Sequence, residues 1–349
     1  MQIAIIAITK NGARLGAELH AKLPKSRLFV IEKHAEGEAH PFSNGVQPLV
    51  DRLWPDYGGF VFIMATGIVV RTIAPLLTSK DRDPAVVVLD DAGQFAVSLL
   101  SGHIGGANAL ATSCAELTGG IPVITTATDV NQLPSFDMLA KEHGWLIEDL
   151  SRVKRLNALL LEGEEIAVLD QGSAVKRYCA GKGKLVFYDD LSEVLGSGAQ
   201  GQVIVTNRVI PPQLDFECML VLRPVNLCLG IGCNRGTAAK EIESVVRENL
   251  ERLELSFRSV RCLASAQAKS DEVGLLQFAG SSGLPLLLYE NEQLNGVDTP
   301  SPASEHALAA IGARGVAEPA ALIASGGGRL LLHKVKSGNV TLAIAQSVG

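Results

Sequence analysis

The sequence predicts an α/β protein: two three-layer α/β/α domains with mostly parallel sheets, and a smaller α/β module between them. Three observations predict it. Short runs such as Phe60-Val61-Phe62-Ile63-Met64 are apolar throughout, as strands covered on both faces require. Such runs alternate with amphipathic stretches at helical spacing. The junctions are rich in glycine, at Ala65-Thr66-Gly67, from Ser101 to Gly106 and from Gly230 to Gly236. The expected parts are residues 1–135, 136–225 and 226–349.

In the first part, residues 2–8 read as a strand, Thr9 to Gly12 as a turn, and the chain to about Lys22 as a helix. Arg27 to Ile31 is a second strand, the polar run 32–44 a loop, and Val46 to Leu53 a short helix. Residues 60–64 form a third strand, followed by a helix from Ile68 to Leu77. Ala85 to Asp90 and Gln94 to Leu100 pair across the Asp91-Ala92-Gly93 turn. A helix then places Ala107, Leu110, Ala111, Cys114 and Leu117 on one face and ends at Gly119-Gly120, before a strand at Ile121 to Thr125.

The middle module has helical patterns at 136–143 and 151–161, and strands at 166–169, 185–188 and 203–205. Pro211-Pro212 and Arg223-Pro224 mark the exit from it. The third part starts with a strand at 226–230 and a turn at 231–236. Thr237 then caps a helix with Ala238, Ile242, Val245, Val246, Leu250 and Leu253 on one face. Further strands fit 260–263, 284–288, 330–335 and 340–345; helices fit 272–279, 304–308 and 318–324.

Composition removes several classes of function. The net charge of −6 and the absence of a long basic run argue against nucleic acid as a partner. The six cysteines form no C-x-x-C pair and read as reduced thiols of a cytoplasmic protein. The seven histidines lack H-x-H and H-E-x-x-H spacing, so no local zinc site is expected. Met1 to Ile8 lacks the basic start of a signal peptide, and the uncharged stretch Ala92 to Ala115 is too polar to span a membrane.

Two turns carry the candidate chemistry. In the first, three glycines surround His103, a residue that can move a proton near neutral pH. Its plain alternative is a tight strand-to-helix turn with a satisfied histidine. Gly230, Gly232 and Gly236 invite a dinucleotide reading, but the third glycine is one place late and Arg235 sits where glycine is wanted. Arg235 at a helix start suits a carboxylate or phosphate. No G-x-S-x-G elbow and no P-loop occur.

Three runs together resemble the cobalt-precorrin-5A hydrolases, the CbiG family of the anaerobic cobalamin pathway. They are Ala65 to Arg71, Asp83 to Asp90 and Ser98 to Asn108. The C-terminal part is similar to that family's third domain at Gly230 to Thr237, Lys269 to Glu272, Gly315 to Glu318 and Lys334 to Ala343. One departure is Asn234, where a second basic residue is expected beside Arg235.

The resemblance implies opening of a δ-lactone on a cobalt tetrapyrrole, then release of a two-carbon fragment as acetaldehyde to give cobalt-precorrin-5B. No cofactor is expected, because cobalt arrives with the substrate and the conjugated ring can take up electrons. His103 is the expected proton-transfer group, acting as a neutral base, with Asp83 and Asp90 next in line. Free N–H groups after Gly106 are expected to face the oxyanion. Expected substrate contacts are Thr66, Gly67, Arg71, Lys80, Arg82, Ser101, Gly102, Gly105, Gly106 and Asn108, with Gly232, Arg235, Gly236, Thr237, Lys334 and Lys336 from the third domain. A tetrapyrrole carrier without catalysis and a nucleotide-dependent enzyme built on the 230–236 turn are the alternatives. A homo-oligomer and transient contacts with neighbouring pathway enzymes stay open.

Overall fold

The computed structural model describes residues 1–79, 82–214, 216–303, 308–309 and 312–347. The chain forms two compact units, Met1–Met138 and Leu139–Gly349. The first unit runs β1 (Ile3–Ala7), α1 (Lys10–Lys22), β2 (Ser26–Ile31), β3 (His40–Phe42), α2 (Val46–Leu53), β4 (Gly59–Ile63) and α3 (Thr66–Ile73). It continues with β5 (Ala85–Leu89), β6 (Phe95–Leu100), α4 (Ala107–Thr118), β7 (Ile121–Val123), α5 (Ala127–Val130) and the start of α6 (Phe136–Glu142).

Its sheet has the order β3-β2-β1-β4-β5-β6-β7. Every pairing is parallel except β5 with β6. Side chains alternate across a strand, and this makes the three layers. Ile3, Ile5 and Ala7 pack with Leu19 of α1 and Leu110 and Ala111 of α4. Ala4 and Ile6 pack on the other face with Leu49 and Val50 of α2 and Val69 and Ile73 of α3. Strand β3 falls in the expected loop 32–44. Its three residues are too few to show a period, and Pro41 is tolerated because β3 is an edge.

One reversal of direction decides where the site forms. Strands β1, β4 and β5 run parallel, so the turns after them, at Thr9, at Ala65 to Gly67 and at Asp90, lie on the carboxyl edge of the sheet. Strand β6 runs back: its Leu100 pairs with Val86 at the start of β5. The Ser101 to Gly106 turn therefore emerges on the amino edge, beside Asp83. A five-residue strand separates the two edges by about 16 Å.

The second unit contains two sheets. The first uses β8 (Leu146–Ile147), α7 (Leu150–Glu162), β9 (Ile166–Leu169), α8 (Ala174–Cys179), β10 (Leu185–Tyr188), α9 (Leu191–Gly196), β11 (Gly201–Val205) and β12 (Met219–Arg223). Its order is β10-β9-β11-β12-β8, with only β8 antiparallel. Pro211-Pro212 does not leave this module, because β12 returns to its sheet after the Pro212–Leu214 turn. Arg223, 2% exposed, holds β12 to the preceding segment through Glu148 at 2.7 Å and the Thr206 carbonyl at 3.1 Å.

The second sheet uses β13 (Leu227–Cys233), α10 (Ala239–Arg252), β14 (Val260–Ala266), α11 (Val273–Ser282), β15 (Leu286–Tyr289), α12 (Asn291–Asn295), α13 (Ala317–Ala324), β16 (Arg329–Ser337) and β17 (Val340–Gln346). It is parallel on one side of β13, toward β14 and β15, and antiparallel on the other, toward β17 and β16. Helices α10 and α11 cover one face and α13 the other. Strand β13 runs on to Cys233, through the expected turn, and Ala238 rather than Thr237 occupies the cap position of α10. The Thr237 hydroxyl instead donates to the Asn234 carbonyl at 2.7 Å. The expected helix at 304–308 falls almost entirely outside the described residues. Among the described residues no helix is long and apolar enough to cross a membrane.

Candidate active site

The amino edge of the first sheet gathers a histidine and two carboxylates. Nε2 of His103 lies 2.8 Å from Oδ2 of Asp129 and 3.2 Å from the Thr128 hydroxyl. Its Nδ1 lies 3.7 Å from Oδ2 of Asp137. Asp137 is buried and accepts from the Ser135 hydroxyl, whereas Asp129 is 41% exposed. Asn108 completes the group: its amide donates to Asp129 at 2.9 Å and to the Thr126 hydroxyl at 3.2 Å, and its Oδ1 accepts from Ser98 at 2.6 Å.

This arrangement favours a charged imidazole. The Asp137 carboxylate, first, and Asp129, after it, raise the His103 pKa above the ordinary 6.5 against the opposing effect of burial. Asp137 is lowered in turn: burial pushes it up, but hydrogen bonding from His103 and Ser135 outweighs that. This direction is opposite to the one expected from the backbone dipoles, which favour the neutral imidazole. The carboxylates beside the ring, which lie beyond the stretch that holds the histidine motif, dominate the backbone dipoles.

The glycines of the turn have internal reasons to be small. A Cβ on Gly102 would meet the Asn108 side chain at 2.7 Å, and one on Gly105 would meet the Ser101 Cβ at 2.3 Å. Gly106 has φ 92° at the start of α4. The first N–H groups of α4 are also used internally: Ala107 donates to Ser101 at 3.1 Å and Asn108 to Gly102 at 3.0 Å. They do not form the open oxyanion site expected from the sequence.

The other expected residues divide between places. Asp83 is buried on the amino edge and accepts from the Thr78 amide and hydroxyl, each at 2.9 Å. Asp90 organises the β5–β6 turn on the carboxyl edge, accepting from Ala92 at 2.9 Å and Phe95 at 2.6 Å. Burial acts to raise its pKa, but these backbone donors, Phe95 first, leave it lowered. Both have local structural work and neither contacts His103. Thr66 and Gly67 are exposed on the carboxyl edge, where Arg71 donates to the Gly67 carbonyl at 3.0 Å. Arg82 is exposed, and Lys80 lies outside the described residues.

In the second unit, Gly232 lies within β13 and Gly236 donates its N–H to the buried Glu272 at 2.7 Å. Arg235 is paired with Asp271 at 2.7 Å, both about two-thirds exposed. Lys334 donates through Nζ to the Pro302 carbonyl at 2.8 Å and through its backbone to the buried Glu318 at 2.8 Å; Lys336 is exposed. An exposed pair contributes little. Arg235→Ala is therefore expected to change affinity for an anionic tetrapyrrole by no more than about fivefold, read by titration. A tenfold loss would restore Arg235 as an anion contact.

Sequence reasoning missed Asp129 and Asp137 together with Thr126, Thr128 and Ser135. The available signal was the pair of polar clusters that open α5 and α6, Thr126-Ala127-Thr128-Asp129 and Ser135-Phe136-Asp137.

Three family descriptions match the chain in order. The cobalamin synthesis G N-terminal region matches residues 48–129, the cobalamin biosynthesis central region 134–224, and the cobalamin synthesis G C-terminus 227–345. The chain belongs to the CbiG family. A cobalt-precorrin-5A hydrolase from Priestia megaterium is 37% identical to it over 353 residues, covering 98% of this chain and 94% of that protein. A cobalt-precorrin-5A hydrolase from Salmonella typhimurium is 33% identical over 345 residues, covering 98% and 97%. Protein CobE from a Sinorhizobium species is 32% identical over 123 residues, covering 34% of this chain and 79% of its own. In this CbiG chain the histidine cluster crosses a boundary between matches. His103, Asn108 and Asp129 fall in the N-terminal match, and Asp137 in the central one.

Proposed function

We propose that this protein is a cobalt-precorrin-5A hydrolase: it opens the substrate's δ-lactone and releases the two-carbon fragment as acetaldehyde, giving cobalt-precorrin-5B. The observation that carries the reading is near full-length similarity to two proteins of that name. The His103 cluster supports it chemically.

Lactone opening adds water to the acyl carbon and breaks the ring C–O bond, so the departing alkoxide needs a proton. An imidazolium held between Asp129 and Asp137 supplies that proton from Nε2 once the substrate displaces the exposed Asp129. Asp129, released, takes a proton from the attacking water, which Asn108 helps to hold. The imidazole left neutral then removes the carbinol proton. The C–C bond breaks, acetaldehyde leaves, and the electron pair passes into the conjugated ring, which is later reprotonated. The macrocycle is its own electron sink, so the reading needs no added cofactor.

Incubation of purified protein with cobalt-precorrin-5A tests this. The expected result is a mass change in the tetrapyrrole with stoichiometric acetaldehyde trapped from solution. Tight binding with unchanged mass would instead identify a carrier.

A further inference from the structure

A cavity of about 620 Å³ opens in the first unit, away from the His103 turn. Arg27 and Phe29 of β2, His40 of β3 and Arg52 of α2 line it, with Asp56 and Tyr57 from the turn before β4. The fold leaves this space open for a definite reason. Strand β3 pairs only with Phe29 to Ile31, so the first half of β2 has no outer neighbour, and α2 stops at Leu53.

The floor is apolar and the rim is charged. Phe29 and Tyr57 are 6% and 7% exposed, with ring centroids 6.1 Å apart in an edge-on contact. Arg27 and Arg52 are exposed, and neither makes an ion pair or side-chain hydrogen bond among the described residues. The hydroxyl of the buried Tyr57 likewise has no partner there. Among the described residues Asp56 is the only carboxylate on the rim, so the two guanidinium groups leave a positive balance before any charge on His40. Guanidinium groups are suited to paired recognition of carboxylates, and two left unpaired over one cavity favour an anion there.

We propose that this cavity is an anchoring subsite for acidic side groups at the rim of the tetrapyrrole, Arg27 and Arg52 each taking a carboxylate and Tyr57 donating its phenolic hydrogen. The identity of the ligand rests on the functional reading above; the unpaired cations do not. Position supports it. Arg27 and Asp56 lie on the amino edge of the sheet, the same edge as His103. From β2 to β6 there are four strand steps in the sheet order, roughly 19 Å at about 4.8 Å each. A ligand touching both places must reach across about this distance, as a broad disc with acidic groups at its rim can.

The test is calorimetric titration with uroporphyrin, a flat tetrapyrrole carrying eight carboxylates. The double variant Arg27→Ala/Arg52→Ala is expected to weaken binding about tenfold or more, and Tyr57→Phe, which keeps the ring, by less. Lys240→Ala, at an exposed cation of the second unit, is expected to leave affinity unchanged. A double variant within twofold of the unmodified protein would overturn the proposal, as would full displacement of uroporphyrin from this cavity by inorganic phosphate. Turnover separates this result from the functional reading. Uroporphyrin binding through Arg27 and Arg52 without acetaldehyde release removes the reading and keeps the cavity. Acetaldehyde release with an unchanged KM in the double variant removes the subsite and keeps the reading.

Discussion

His103→Ala and His103→Gln are expected to stay folded and to lose ~10²–10⁴-fold in acetaldehyde release, the range for a positioned acid or base. The half-buried ring is held by polar contacts, so its removal opens no large apolar void. A folded variant losing less than about tenfold would make His103 a turn residue. The pH profile supplies a second reading. His103 has a raised pKa, so its acid form persists above the ordinary 6.5, and the rate is expected to fall as pH rises through the raised value. Asp137→Asn removes the largest cause of that shift and should move this limb toward lower pH. Stability follows the same sign. The contribution of the histidine–carboxylate contacts is fully present below about 6.5 and is lost as pH rises through the folded value. Thermal melts across that window check it.

Gly230→Ala is expected to cost as much as the upper end of the ~1–3 kcal/mol seen for overpacking, or more. A Cβ there would lie 1.8 Å from the Ala317 carbonyl oxygen and 2.8 Å from the Ala321 nitrogen, all backbone atoms of α13. No rotamer change relieves such a contact; the helix must lift from β13. That movement would disturb Glu318, which is 2% exposed and joins Ser301 to Lys334 through hydrogen bonds of 2.7 and 2.8 Å. Gly280→Ala is the control, since it lies in α11 with nothing within 4 Å of its Cβ position. It should stabilise by ~0.5–1 kcal/mol. Denaturant midpoints compare the two, and a Gly230→Ala shift no larger than the control's would show that α13 does not need this close approach.

The architecture was legible where the period was strong. Phe60 to Met64 and Ala85 to Leu89 read as buried strands because every residue is apolar, and both are. The helix at 239–252 was visible in the spacing of Ile242, Val245, Val246 and Leu250, which are all buried. Short elements were not legible: β3, β8 and α8 span one or two turns of pattern at most, and pairing rather than propensity defines them. Half of the candidate site was legible. His103 and Asn108 stand in a marked turn, but Asp129 and Asp137 reach them by tertiary folding across 26 and 34 positions of chain. The glycines pointed to the right turn for a different reason, since self-packing against Ser101 and Asn108 explains them. Asp83, Asp90 and His103 are near in sequence, yet the hairpin sends Asp90 to the opposite edge.

The reversed direction of β6 also separates two kinds of tolerance to change. The β5–β6 tip at Asp91 to Gly93 and the Ala65 to Gly67 turn stand a strand's length, about 16 Å, from the imidazole. Lengthening either loop, or grafting a reporter peptide there, leaves the geometry around His103 to the amino edge alone. Equal changes between Val123 and Phe136 would instead reset the positions of both aspartates. The segment after β7, which adds no further strand to the sheet, is therefore the one whose length is least free to vary.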